Sequence, residues 1–135
     1  MRTRKVALII FYDKEKRILL QDRTGMSRWG NVWGFFGGGI EEGETPEQTV
    51  MREAKEELDV VLTDHIYLGN CKSVIDNELL VDRYVFIAPL VDIKRFTLHE
   101  GRAMQLFSMD EARKLKMVPG DELVLDMIEK QHQKA

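Results

Sequence analysis

The stretch GGIEEGETPEQTVMREAKEELDV, from Gly38 to Val60, sets Arg52, Glu53, Glu56 and Glu57 in a fixed pattern behind a glycine-rich turn. Glu53, Glu56 and Glu57 stand at i, i+3 and i+4, a spacing that brings three carboxylates to one face of a helix. Like charges so placed repel, and a fold keeps them together most readily when something positive sits among them. The simplest candidate is a divalent metal with a phosphate-bearing substrate behind it. The start of the helix is written into the same stretch. Thr45 suits the N-cap, Pro46 the first helical position, and Gln48 completes a capping box with Thr45. Val50, Ala54 and Leu58 recur at i, i+4 and i+8 and predict a core-facing side. The acidic face then lies about 110° away and lines an open cleft.

A lone E-x-x-E-E would say little, because most glutamate-rich helical segments are solvated surface. Here the acids belong to a longer pattern. Gly38, Glu44, Arg52, Glu53, Glu56 and Glu57 match six of the seven fixed positions of G-x5-E-x7-R-E-U-x-E-E-x-G-U, where U is apolar and is Ala54 and Val60 here. At residue frequencies near ~7% each, six chance matches arise in roughly one of ten million windows. The stretch resembles the signature of the Nudix hydrolases. The preceding Trp33-Gly34-Phe35-Phe36-Gly37-Gly38-Gly39 resembles that family's W-x-x-P-G-G-x lead-in, with Phe36 in place of proline. Asp59 stands where the signature has glycine, a position after the helix at which a positive φ is useful. Aspartate tolerates the left-handed region better than most residues.

The resemblance implies an α/β/α sandwich with a mixed β-sheet between helices, over residues 1–135 as a single domain. It implies hydrolysis of a nucleoside diphosphate linked to another moiety by water attack on the pyrophosphate bridge. Carried over by position, Glu56 and Glu57 are the chief metal ligands, and Glu53 is a ligand or the base that activates water. A backbone carbonyl near Gly38 or Gly39 completes the metal shell. Arg52 and Glu44 hold the cluster's geometry. A further acid from a late loop falls on Glu100. The resemblance also allows a homodimer. Some Nudix-like domains bind nucleotides as regulators without hydrolysis, which is the alternative reading.

The residue types themselves narrow the metal. Oxygen-only ligands select hard cations, so Mg²⁺ or Mn²⁺ is expected rather than Zn²⁺. His65, His99 and His132 are scattered and form no ligand spacing.

The chain has 135 residues and a formal net charge of −3. That length suits one domain with a real core. The charge argues against broad binding of a nucleic-acid polymer, which needs a basic surface. The single cysteine, Cys71, precludes an internal disulfide and reads as a small core residue. The start of the chain lacks a signal-peptide pattern, and no apolar run approaches membrane-spanning length. A cytoplasmic protein is expected.

Strands are predicted at Lys5–Tyr12, Arg17–Gln21, Val32–Phe36, Ile66–Ile75, Leu79–Leu90 and Ala103–Phe107. Gly37-Gly38-Gly39 reads as a turn. Helices are predicted at Pro46–Leu58, after Ser108 with its capping partner Glu111, and after Pro119 with Leu123, Met127 and Ile128 inward. On their own these elements suit several folds with helices on a mixed sheet. Substrate contacts are sought at Arg23 for a phosphate or base edge, at Trp33 and Phe35 for stacking, and at Asp121 for a purine edge or a helix cap. No asparagine follows Asn77, and Ile75–Glu78 carries neither the proline nor the tyrosine that marks two of the family's subgroups. The first substrates to consider are nucleoside triphosphates, ordinary or modified, then nucleotide sugars and ADP-ribose-like compounds.

Overall fold

The computed structural model of the chain describes residues 1–99 and 103–134. Its frame is a seven-stranded mixed sheet. The strands are β1 (Arg2–Tyr12), β2 (Ile18–Asp22), β3 (Trp33–Gly34), β4 (Phe36–Gly39), β5 (Ile66–Ile75), β6 (Leu79–Pro89) and β7 (Ala103–Phe107). The main path runs β3-β2-β1-β6-β5, with β4 paired to β1 and β7 to β2. β1 and β6 are parallel along their whole length, from Arg2↔Leu79 to Tyr12↔Pro89. The remaining pairings are antiparallel.

Period-two alternation along β1 divides the core. Ala7, Ile9 and Phe11 face α1 (Pro46–Leu58) and pack with Val50, Ala54 and Leu58. Ile10 faces the other way, toward α3 (Glu122–Gln133), where Val124, Leu125 and Ile128 are buried. The short α2 (Met109–Ala112) closes this second side through Ala112. The α/β/α layering expected from the sequence is therefore present.

Helix α1 begins as predicted. The Thr45 hydroxyl accepts the Gln48 N–H, and the Gln48 side chain accepts the Thr45 N–H. It ends at Asp59, which adopts the left-handed conformation at φ 58°. Its N–H donates to the Lys55 carbonyl, and Val60 donates to Ala54. The Ser108–Glu111 capping box at α2 is also present.

Three expectations are corrected. Gly37-Gly38-Gly39 is not a turn but the body of β4, in register with Leu8, Ala7 and Val6. β1 starts at Arg2 rather than Lys5, because Leu79–Asp82 of β6 offers the charged segment a parallel partner. On α3, Leu123 and Met127 are half-buried, and Val124, Leu125 and Ile128 form the inward face.

Candidate active site

Helix α1 lies against β4, where glycines leave room for side chains from the helix. Glu57 uses that room: its Oε1 accepts the Gly37 N–H at 3.3 Å, and the residue is only 1% exposed. Glu53 lies over Gly38, where an added Cβ would come within 2.5 Å of Glu53 Oε1. Glu56 points away, with 58% of its side chain exposed. The three acids therefore do not share one open face as expected. The helical wheel accounts for this. At about 100° per residue, Glu57 sits roughly 60° from the centre of the Val50–Ala54–Leu58 side and Glu56 roughly 160°.

The positive group among the acids is Arg52. Its Nε donates to Glu44 Oε2 at 2.8 Å and its Nη2 to Glu44 Oε1 at 3.0 Å. Nη1 donates to Glu53 Oε1 at 2.9 Å and to Glu56 Oε2 at 3.4 Å, and Nη2 also reaches the Gly39 carbonyl at 3.3 Å. Glu44 Oε1 accepts a further hydrogen bond from the Thr49 hydroxyl. The Arg52 guanidinium and the Thr49 hydroxyl hold the Glu44 carboxyl down at about 2. The pair with Glu44 likewise pushes the Arg52 pKa up, with Glu53 adding to it. Among the described residues no three His, Cys, Asp or Glu side chains converge on one point. The donor set at β4 is nonetheless all oxygen, which fits a hard dication.

On the other side of β4 an open groove of about 590 Å³ runs across β1 and β6, and Gly37 and Gly38 line its near end. The acid cluster and the groove thus meet at these two glycines. Phe35 and Asp121, both sought from the sequence, line the groove, as does Arg23. Trp33 does not. Its ring packs edge-on against Phe107, with centroids 4.9 Å apart. Trp33 and Phe35 pack into the same core on the α3 side, Phe35 buried within it and Trp33 at its edge, so the face they share is core. Glu100 lies outside the described residues. Cys71 is half-buried, packs against the core beneath α3, and its thiol is pushed up by burial.

Asp121 occupies the N-cap position of α3 but makes no capping hydrogen bond. Its carboxylate instead faces Arg83, with Nε 3.5 Å from Oδ1. Arg83 is 2% exposed and also donates to the Ser73 hydroxyl at 2.9 Å and the Pro119 carbonyl at 3.2 Å. Burial raises the Asp121 pKa to about 6, against the pull of Arg83. Sequence reasoning missed Arg83. The available signal was a charged pair, Asp82-Arg83, inside an apolar strand. Trp29, also missed, lines the groove beneath the Arg28 guanidinium, 4.5 Å from its ring centroid.

An acid-rich helix seated on a glycine strand, facing an arginine-lined groove across that strand, is an arrangement for handling phosphates. Residues 1–128 match the family model of the NUDIX domain, and the chain belongs to that family. Over 117 residues it is 27% identical to the CTP pyrophosphohydrolase of Escherichia coli K12, covering 86% of this chain and 83% of that protein. Over 58 residues it is 36% identical to the 8-oxo-dGTP diphosphatase of Proteus vulgaris, covering 43% of this chain. The match spans about half (52%) of that relative's length. The solution structure of the E. coli ORF135 protein superposes with a TM-score of 0.79 at 24% identity, covering 98% of this chain and 92% of that one. That likeness is one of fold. Nudix hydrolases generally use divalent metals.

Proposed function

We propose that residues 1–135 act as one hydrolase domain that cleaves the pyrophosphate bond of a nucleoside diphosphate linked to another moiety. Nucleoside triphosphates, ordinary or modified, are the first substrates to test. One observation carries the reading. Arg52, paired with Glu44 and Glu53, reaches the Gly39 carbonyl, Glu53 lies over Gly38, and Gly38 also lines the arginine-rich groove.

The all-oxygen donor set suits Mg²⁺ or Mn²⁺. Glu53, Glu56, Glu57 and the Gly38 carbonyl would hold it. When bound, such an ion supplies Lewis-acid chemistry for the phosphoryl oxygens and for activating water. Glu53, which lies over Gly38 on the helix side of β4, is read as a further ligand or as the base that takes a proton from water. Arg52 and Glu44 are positioning residues: their two-point pair fixes where Glu53 points. Glu100 is the further acid in this reading. Arg23 meets a phosphate, and Asp121 with Arg83 presents an acceptor and donors to a base edge, while Phe35, 5% exposed, forms part of the groove wall rather than an open stacking face. Trp33, sought as a second stacking ring, packs on Phe107 and does not line the groove.

Cytoplasmic placement and a homodimer belong to the same reading. No described helix is long and apolar enough to cross a membrane. The test is incubation with a nucleotide panel in Mg²⁺ or Mn²⁺, with products identified in ¹⁸O-labelled water. Label in one phosphoryl product names the substrate and the phosphorus attacked. No release of phosphate or pyrophosphate from any member, after phosphatase coupling, would end the proposal. Chelation should abolish turnover, and divalent metal should restore it.

A further inference from the structure

The chain is acidic overall, yet its groove is lined by five arginines, Arg2, Arg4, Arg23, Arg28 and Arg83, against one carboxylate, Asp121. Three of these arginines have their charge answered within the fold. Arg83 faces Asp121 and donates to Ser73 and Pro119. Arg28 is paired with Asp76. Arg23 acts on Asp121 through space. Arg2 and Arg4 make no ion pair or side-chain hydrogen bond among the described residues. Both are exposed, and both line the groove.

Their position follows from the register. On β1, Arg2, Arg4, Val6 and Leu8 share the groove face. Leu8 lies opposite Gly37, while Arg4 and Arg2 lie beside Val81 and Leu79 of β6. At about 3.3 Å per residue the strand carries Arg4 roughly 13 Å and Arg2 roughly 20 Å from the level of Gly37. A nucleotide whose 5′-phosphates sit at Gly37–Gly38 would turn its sugar and base toward these two guanidinium groups. An ordinary nucleoside offers them no charge there. A nucleotide with another phosphate on that side does.

We propose that Arg2 and Arg4 form a second anion subsite, which binds a phosphate carried by the substrate at the end away from the hydrolysed anhydride. The proposal rests on the hydrolytic reading for its orientation, but its test does not need turnover. The shared chemistry is a distal phosphate, whether a free monoester on the ribose or the diester that leads to a next nucleotide. The guanidinium fork matches either oxygen pair.

The test is calorimetric binding to the full chain, using nucleoside 5′-monophosphates, the matching 3′,5′-bisphosphates, and 5′-phosphorylated dinucleotides. The expected result is about tenfold tighter binding of the bisphosphate or the dinucleotide than of the monophosphate at low salt. That ratio should shrink as salt rises. In the double variant Arg2→Gln, Arg4→Gln the ratio should fall to about one, with the thermal midpoint confirming a folded protein. A merely structural role for the two arginines would weaken all ligands alike and leave the ratio standing, which would overturn the proposal. Equal binding of all three ligand types to the wild type would also overturn it. If the substrate panel gives no turnover, the binding ratios remain readable, so failure of the hydrolytic reading and failure of this subsite are distinguishable.

Discussion

Arg52 and Glu44 meet side-on, with Nε to Oε2 at 2.8 Å and Nη2 to Oε1 at 3.0 Å. Glu44 precedes α1 and Arg52 lies in its middle, so the pair ties the loop to the helix. The remaining guanidinium nitrogen, Nη1, is aimed at Glu53 and Glu56. An ammonium group has no such planar fork. Arg52→Lys should therefore keep the charge and lose the aim. Turnover is expected to fall roughly 10- to 100-fold, with weaker dependence on substrate concentration. Steady-state kinetics with a metal titration would check this, and unchanged kcat would contradict the positioning role.

Gly37 and Gly38 should respond differently to one added methyl. At Gly37, φ is 137° and a Cβ would lie 2.1 Å from the Ala7 carbonyl oxygen, a backbone atom of β1. Gly37→Ala is expected to destabilise the fold by roughly 2–4 kcal/mol in urea unfolding. At Gly38 the new methyl meets the tip of the Glu53 side chain. Gly38→Ala should cost about 1 kcal/mol or less but lower kcat at least tenfold by displacing that carboxylate. Equal stability losses at the two positions would refute the distinction.

These two glycines also show where sequence legibility stopped. The helix that follows them was readable, because Thr45, Pro46 and Gln48 carry local start signals and Val50, Ala54 and Leu58 a local period. The strand they form was not, because three glycines read locally as a turn, and pairing with β1 is a property of the whole sheet. The start of β1 at Arg2 was hidden for the same reason: its partner lies near Leu79. Within the site, the family pattern located the acids, while their unequal burial follows from small angular differences about the helix axis. Arg83 was missed because a charge inside an apolar strand gives no local hint of the buried partners that stabilise it.

Asp121 gives stability a pH dependence of unusual sign for a carboxylate. Its folded pKa is raised to about 6 from a reference of 3.8. Between these values the folded chain holds more protons than the unfolded chain, so stability falls as pH rises. This contribution is complete below about pH 4 and lost as pH climbs through 6. Carboxylates lowered by partners, such as Glu44 and Asp13, act in the opposite direction at lower pH. Asp121→Asn should remove a loss of roughly 1–3 kcal/mol between pH 4 and 7. Denaturant unfolding of both proteins across that range would check it, and parallel curves would contradict it.

Asp59 ends α1 at φ 58°, and its carboxylate pairs with the Lys55 ammonium at 2.8 Å on the surface. Asp59→Gly would relieve the left-handed backbone and discard that pair. Both effects are small and they oppose each other. The thermal midpoint is expected to stay within about 3 °C of wild type, with turnover unchanged. A large change in kcat would show that the departure from the family signature reaches the site.

The parallel union of Arg2–Tyr12 with Leu79–Pro89 also bears on biosynthesis. Arg2–Tyr12 leaves the ribosome well before Leu79–Pro89, so it cannot find this central companion until the long intervening segment has been made. Until then Ile9, Ile10 and Phe11 lack the cover they finally receive. Loop closure over such a span makes acquisition of the native state slow, in the millisecond-to-second range rather than microseconds. Nascent molecules of this chain should accordingly depend on dilution or chaperones during that interval.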